Sequence, residues 1–329
     1  ESEIITLFYD KFADIPLLSR MDAVAETFID EIETLLNRDL PEEERIPLIE
    51  KFRKMYETMD FYVLYNRFLK KEGYQTLPRR PLEKRKLRYE DVYPVLYLKY
   101  RLSRQAERSN IKHLVIDEMQ DYSRLQYLII RRMFSCKMTI LGDRAQTMAD
   151  QQQDVLQFLP GIFGKDLRRI EMRKSYRNTV EIASYAANLI GVTDLELFER
   201  HGMPVLERDV TDLEAALREA VDTLFPEEKT YETAAVIVPD EKTAERAYLI
   251  LREILAEKDF DCEKRLSWLN RDSSSFKKGL TVTTFYLAKG LEFDQVFSIF
   301  PKDEKREMMM QAQYIAATRA LHELRVYHI

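Results

Sequence analysis

The sequence predicts an α/β fold with parallel sheets, and three observations carry that expectation. Short β-branched runs begin at residue 113, helical patterns lie between them, and the first run ends in two carboxylates. In that first run, "HLVIDEMQDYSRLQ", Val115 and Ile116 suit a buried strand. Asp117 and Glu118 follow at its carboxyl end, where open parallel sheets bind ligands. "HLVID", "MTILGD", "AAVIVP", "LTVTTF" and "VFSIF" read as strands, with "RLQYLIIRRMF" and "TVEIASYAANLI" as helices between them.

The first hundred residues carry helical spacing almost throughout. Phe52, Met55, Tyr56 and Met59 fall at i, i+3, i+4 and i+7, the pattern of one apolar helix face, and Pro41, Pro78, Pro81 and Pro94 punctuate the helices. There is no internal repeat and no low-complexity segment. The expected domain boundary lies between about Asp150 and Glu171, where "DQQQD" and the loop "PGIFGK" fall.

A chain of 329 residues exceeds one typical domain, so two domains, or one with a large insertion, are expected. With 45% hydrophobic and 33% charged residues it has the apolar mass for a core, which excludes a disordered chain. Cys136 and Cys262 stand far apart without companions, so they support neither a disulfide framework nor a zinc site, and a reducing cytoplasm is the expected compartment. No apolar run approaches the ~20 residues that span a bilayer, and "ESEIITLFYD" is not a signal peptide, so no membrane partner is expected. A formal net charge of -6 argues against strong non-specific duplex DNA binding. The densest basic run, "RRPLEKRKLR" from Arg79 to Arg88, reads as a solvated linker. The chain starts at Glu1 and not at Met, which reads as a fragment.

Five stretches offer chemistry. An apolar strand ending in Asp117 and Glu118 has the pattern of a Walker B element, in which Asp holds magnesium and Glu activates water; on "VIDE" alone an ordinary strand-end acidic pair fits equally. In "ILGDRAQT", Gly142 and Asp143 leave the next strand, and Gln146 is a neutral amide suited to sensing a γ-phosphate; Gly-Asp is also a common turn. In "RKSYRNTVEI", Tyr176 and Arg177 precede a helix that Asn178 or Thr179 caps, placing an arginine for transferring phosphate beside a ring that can stack on a base. "TTFYLAKGLEFD" sets Lys289, Gly290 and Glu292 in the loop after a strand, where Gly allows close approach and Glu can accept a bond from a ribose hydroxyl, or where a tight connection is all that is needed. In "YIAATRALHEL", Arg319 reads as lying inside a helix built from Ala and Leu, a position where a lone Arg usually pairs with a surface carboxylate.

Together, "VIDEMQD", "LGDRAQ", "SYRN", "AKGLEFD" and "AATRA" stand in the order of motifs II to VI of superfamily 1 helicases, so residues from about 89 to 329 resemble the UvrD/Rep type. "YEDVYPVLYLKY", "YLAKGLEFD" and "TRALHEL" resemble the HelD group, related to helicase IV. The resemblance implies a helical insertion region at 1–88, a partial first RecA-like domain (1A) at 89–165 and a second (2A) at 166–329. It implies ATP and Mg2+ as cofactors, with Asp117 on the metal, Glu118 activating water and Gln146 sensing the γ-phosphate. Tyr176 would stack near the base, Arg177 and Arg319 would stabilise the transferring phosphate, and Glu292 would touch the ribose beside Lys289 and Gly290. The implied activity is that of an ATP-dependent DNA helicase acting on single-stranded DNA. The alternative is a HelD-type factor that binds and recycles RNA polymerase.

Two departures qualify the resemblance. None of the eight glycines lies in a GxxxxGK[ST] phosphate loop, and "GIFGKD" fails in spacing, in the residue after Lys165 and in position. The expected reason is that the chain begins downstream of that loop, which leaves the fragment alone inactive. Gln146 is followed by "TMADQQQ", where UvrD-type motors carry an aromatic and an Arg for single-stranded DNA.

Overall fold

The computed structural model describes residues 1–103, 110–143, 146, 155–172, 174–192, 196–258, 260–273, 278–302 and 307–329. The "DQQQD" run lies outside the described residues. The chain forms two compact units, residues 1–142 with 153–167 and residues 143–152 with 168–329.

The first unit is mainly helical: α1 (Ser2–Thr6), α2 (Arg20–Leu36), α3 (Glu42–Arg53), α4 (Phe61–Lys71) and α5 (Tyr89–Leu102). α2 buries Val24, Ala25 and Ile29 and pairs with α3 through stacked Phe28 and Phe52, 5.5 Å between centroids. It ends where Asn37 turns left-handed at φ 50°, a conformation Asn tolerates better than most residues. Asp60 caps α4 by accepting from the Tyr62 amide. Tyr62, Tyr65 and Leu69, on one helical face of α4, pack with Leu77, Leu87, Val95 and Leu98.

Two readings of this region are corrected. α3 stops at Arg53, so Met55, Tyr56 and Met59 do not continue a helical face. The chain turns back instead, and the Tyr56 hydroxyl bonds the carbonyl of Leu17 and the amide of Met21. Pro94 does not separate helices but lies inside α5.

A βαβ element completes the unit. β1 (His113–Ile116) runs parallel to β2 (Lys137–Ile140), joined through α6 (Arg124–Met133), whose start is fixed by a capping box between Ser123 and Gln126. α7 (Val155–Phe163) lays Val155 and Leu159 against Ile116 and Tyr127.

The second unit is α/β, the class its sequence predicts. Its elements are β3 (Lys174–Ser175), α8 (Val180–Leu189), β4 (Glu196–Leu197), β5 (Leu206–Asp209), α9 (Leu213–Asp222), β6 (Thr233–Val238), α10 (Glu241–Ala256), α11 (Cys262–Arg265), β7 (Leu266–Trp268), β8 (Gly279–Thr284), β9 (Phe293–Phe300), α12 (Glu307–Ala317) and β10 (Ala320–His328). Six strands form one parallel sheet in the order β5-β10-β9-β6-β8-β7, and β3 pairs with β4 apart from it. Alternation along the strands divides the core. Val236, Val238, Phe297 and Ile299 pack on α9 and α10, while Ala235, Ile237, Val296 and Phe300 pack with residues of α8 and α12.

A further correction concerns "YIAATRALHEL". Its first part ends α12, its last part opens β10, and Thr318 and Arg319 form the connection, so Arg319 is not inside a helix. Ala and Leu give this segment the look of a helix, but β10 is placed by pairing with β9 and β5. Among the described residues no helix is long and apolar enough to cross a membrane.

Candidate active site

The acidic pair leaves β1 where the sequence places it. Asp117 is exposed and its Oδ1 accepts from the Glu118 amide at 2.8 Å. Glu118 is left-handed, at φ 52° and ψ 51°, an uncommon conformation for a residue with a side chain. That turn is held from both sides. The amide of Met119 bonds the carbonyl of Leu141 at 2.8 Å, and the Leu141 amide bonds the carbonyl of Ile116 at 2.8 Å, so the β1–β2 ladder runs past the strand ends and fixes the acidic turn. Gln120, buried, donates from Nε2 to the Glu118 carboxylate. Gly142 is required by close approach, because a Cβ there would lie 2.6 Å from the Met119 amide nitrogen.

Magnesium takes hard oxygen ligands and is commonly held by one or two carboxylates together with phosphate and water. The Asp117 carboxylate is exposed, and among the described residues it is bonded through one oxygen to its neighbour's amide, which fits that role. Among the described residues no group of three His, Cys, Asp or Glu could hold a metal by itself.

The arginines gather in the second unit. Arg319 is 1% exposed, and its guanidinium donates to the carbonyls of Ile315 (3.2 Å) and Leu291 (3.4 Å), to the Thr318 hydroxyl (3.2 Å) and to Gln146 Oε1 (3.3 Å). Gln146 Nε2 in turn donates to Asp143 Oδ2 at 2.9 Å, and the Tyr314 hydroxyl donates to the same oxygen at 3.1 Å. Burial, reinforced by Asp143, pushes the Tyr314 phenol well above its ordinary range, so it stays a donor. Arg177 is exposed and pairs through Nε with Glu292 Oε1 at 2.6 Å, which brings the third and fourth stretches together. Gly290 is left-handed at φ 76°, so its loop needs glycine for backbone conformation. Lys289 lies half-buried in that loop.

Tyr176 is 59% exposed, with its ring 5.4 Å from Phe198 and the Lys174 ammonium 5.5 Å above it. Three residues that sequence reasoning did not single out hold this region. Asn178, considered only as a helix cap, is buried and donates to the carbonyls of Thr318 (3.2 Å) and Ala320 (2.6 Å), while Thr179 caps α8. Arg200 bonds the carbonyls of Arg177 and Leu321, tying the Arg177 turn to the start of β10. Glu181 accepts from His201 and the Gly202 amide at 2.9 and 2.8 Å. Burial raises its carboxyl, but these bonds, its own amide and Thr179 outweigh that and hold it at about 2. The Asn178 bonds and the Arg200 bond to Leu321 span over a hundred residues and leave no local pattern.

Residues 9–148 match the UvrD/REP helicase N-terminal domain family, so this stretch is similar to that domain. No curated protein matches the chain. Among solved structures, the C-terminal domain of a possible DNA helicase from Lactobacillus plantarum WCFS1 is 24% identical, over 47% of this chain and 88% of that one, with a TM-score of 0.36. Arterivirus nonstructural protein 10, a helicase, is 13% identical over 81% of this chain and 50% of its own, at 0.36. Its complex with DNA is 14% identical over 68% and 40%, at 0.35. The chain thus spans half or less of these viral helicases.

Proposed function

We propose that this chain is part of a UvrD-like, ATP-dependent nucleic-acid motor and supplies residues for magnesium-dependent ATP hydrolysis. The observation that carries the reading is the acidic turn after β1, with Asp117 exposed and Glu118 held left-handed between two ladder bonds and Gly142, inside the stretch similar to the UvrD/REP domain. In this reading Asp117 binds the metal and Glu118 takes the proton from the attacking water. Gln146 reports on the γ-phosphate, and Arg177 and Arg319 offset charge that develops on the transferring group. Tyr176 offers a ring to the base, and Glu292, with Lys289 and Gly290, lies toward the ribose. The partner is single-stranded nucleic acid. The HelD-group refinement, with RNA polymerase as alternative partner and a cytoplasmic location, rests on the sequence stretches alone.

The test measures binding and turnover separately. These 329 residues contain no GxxxxGK[ST] loop, so the chain alone should hydrolyse ATP negligibly. Turnover near the ~1–100 per second of intact phosphoryl-transfer enzymes would overturn the reading. In a protein that joins this chain to such a loop, Glu118→Gln should abolish hydrolysis and leave ATP affinity nearly unchanged, since it removes the base and little of the shape. Equal losses of binding and turnover would remove Glu118 from the role of base.

A further inference from the structure

We infer that Tyr314 is a positioning residue of the candidate site: its hydroxyl fixes the Asp143 carboxylate, Asp143 sets the Gln146 amide, and Gln146 holds the Arg319 guanidinium in place before any phosphate arrives. The functional part of this inference rests on the proposed reading of Gln146 and Arg319 as phosphate-side groups. The relay itself is measurable without nucleotide.

All four residues belong to the second unit. Arg319 follows the end of α12, where the last carbonyls of a helix lack intrahelical donors. Its guanidinium folds back over that end, donating from Nε to the Ile315 carbonyl and from Nη2 to the Thr318 hydroxyl, while Nη1 reaches the Leu291 carbonyl. Those three partners are placed by the path of the backbone beside Arg319 and before β9. Gln146 Oε1 is different, because it is the tip of a long side chain with several rotamers, and something must choose its direction.

The neighbours force that choice. A guanidinium only donates and a carboxylate only accepts, so an amide between them has one satisfactory orientation, oxygen to Arg319 and nitrogen to Asp143. Gln146 has it, with Nε2 donating to Asp143 Oδ2 at 2.9 Å, and its backbone amide bonds the Asp143 carbonyl at 3.1 Å. Asp143 is held in turn, since the Tyr314 hydroxyl donates to the same Oδ2 at 3.1 Å. Two donors on one oxygen also offset a negative charge that would repel phosphate. The chain of bonds returns to its start, because the Thr318 amide donates to the Tyr314 carbonyl at 3.0 Å and the Thr318 hydroxyl accepts from Arg319. Burial and then Asp143 raise the Tyr314 phenol while Arg319 and Arg177 pull it down, which puts the hydroxyl within electrostatic reach of both arginines. The Tyr314 ring packs on the core shared by α8 and α12. A residue that only filled that core would need the ring and not the hydroxyl.

Tyr314→Phe keeps the ring and removes the hydroxyl, and nuclear magnetic resonance of the ligand-free 329-residue chain, with isotope-labelled arginine, reads the result. The Nε–H signal of Arg319, identified by its loss in Arg319→Lys, should shift and exchange with water about tenfold faster, as expected when roughly one hydrogen bond of local stability is lost. Gln146→Leu should move the same signal in the same direction, and adding Tyr314→Phe to it should change nothing further, because both act through one relay. The Arg325 signal, held by Glu323, should stay in place throughout. An Arg319 signal that Tyr314→Phe leaves unmoved, even with a lower melting temperature, overturns the inference, and so do effects of the two substitutions that simply add. In the protein joined to a phosphate loop, Tyr314→Phe should lower kcat for ATP about tenfold with KM nearly unchanged, the mark of a displaced catalytic group. Normal kcat in Tyr314→Phe, where Glu118→Gln abolishes turnover, keeps the ATP reading and overturns the positioning role. A joined parent protein that does not hydrolyse ATP removes that reading and the positioning role with it.

Discussion

In β6 and β8 every residue except Thr233 is buried, whereas in β1 and β2 only Ile116 is. Both pairs are parallel and both are short apolar runs in sequence. The difference comes from their neighbours. β6 and β8 lie within a six-stranded sheet that helices cover on both faces, the usual condition of parallel strands. Among the described residues β1 and β2 have only each other in their sheet, and Val115 remains 61% exposed. The acidic turn is therefore carried on a lightly buried element whose geometry comes from backbone bonds, and Arg319 is carried on a deep core.

The comparison is most easily broken in the cores themselves. Phe297, 1% exposed in the middle of β9, should cost about 3–5 kcal/mol on change to Ala, read as an earlier urea midpoint from the fluorescence of Trp268, the single tryptophan. Val115→Ala should cost under ~0.5 kcal/mol, because much of its side chain already meets water. Equal costs would mean that the two sheets are buried alike.

The two arginines sharpen it. Arg319→Ala removes a buried cation from two carbonyls, a hydroxyl and Gln146, and should destabilise the second unit by about 2–4 kcal/mol. Arg177→Ala breaks an ion pair whose side chains are 45% and 41% exposed, and should cost less than ~1 kcal/mol. Calorimetric melting of the two variants separates them, and near-equal shifts would contradict the burial of Arg319.

The acidic turn calls for a pair of opposite sign. Gly142→Ala forces a Cβ against the backbone of Met119 and should cost about 1–3 kcal/mol, since backbone cannot give way as a flexible side chain does. Glu118→Gly removes the strain of a left-handed residue and should stabilise by about 1 kcal/mol, although under the proposed function it removes the base. A lower melting temperature for Glu118→Gly would mean that the bond from Gln120 outweighs the strain.

These contrasts also mark what the sequence made legible. The strands of the deep core are apolar runs bounded by turn residues, and "AAVIVP", "LTVTTF" and "VFSIF" carry that signal without help from neighbours. β10 did not, because Ala, Leu and Glu favour helices and only pairing with β9 and β5 makes the segment a strand; the same misreading put Arg319 in a helix. Phe52, Met55, Tyr56 and Met59 have helical spacing by coincidence, since the Tyr56 hydroxyl reaches residues more than thirty positions earlier. At the site, residue types and order pointed to Asp117, Glu118, Arg177 and Arg319, but Asn178 and Arg200 act through bonds to distant carbonyls that no spacing encodes. The segment Leu77 to Arg88 looked like a linker for the same reason, its anchors being scattered over α4 and α5.

The smallest effect concerns the start of α8, where Glu181 holds His201 and Gly202 beside Thr179. Its carboxyl is lowered from 4.5 to about 2 in the folded chain, so the stabilisation is fully present above about 4.5 and is lost as the pH falls toward 2. Gly202 packs closely on Thr179, since a Cβ there would lie 2.6 Å from the Thr179 methyl carbon. Glu181→Gln should therefore cost about 1 kcal/mol at pH 6. The gap between the melting temperatures of the parent and the variant should narrow steadily between pH 4.5 and pH 2, because the parent then loses the charge the variant never had. A gap that stays constant over that interval would show that shape alone, and not the carboxylate, holds the Arg177 turn against residues 200 to 202.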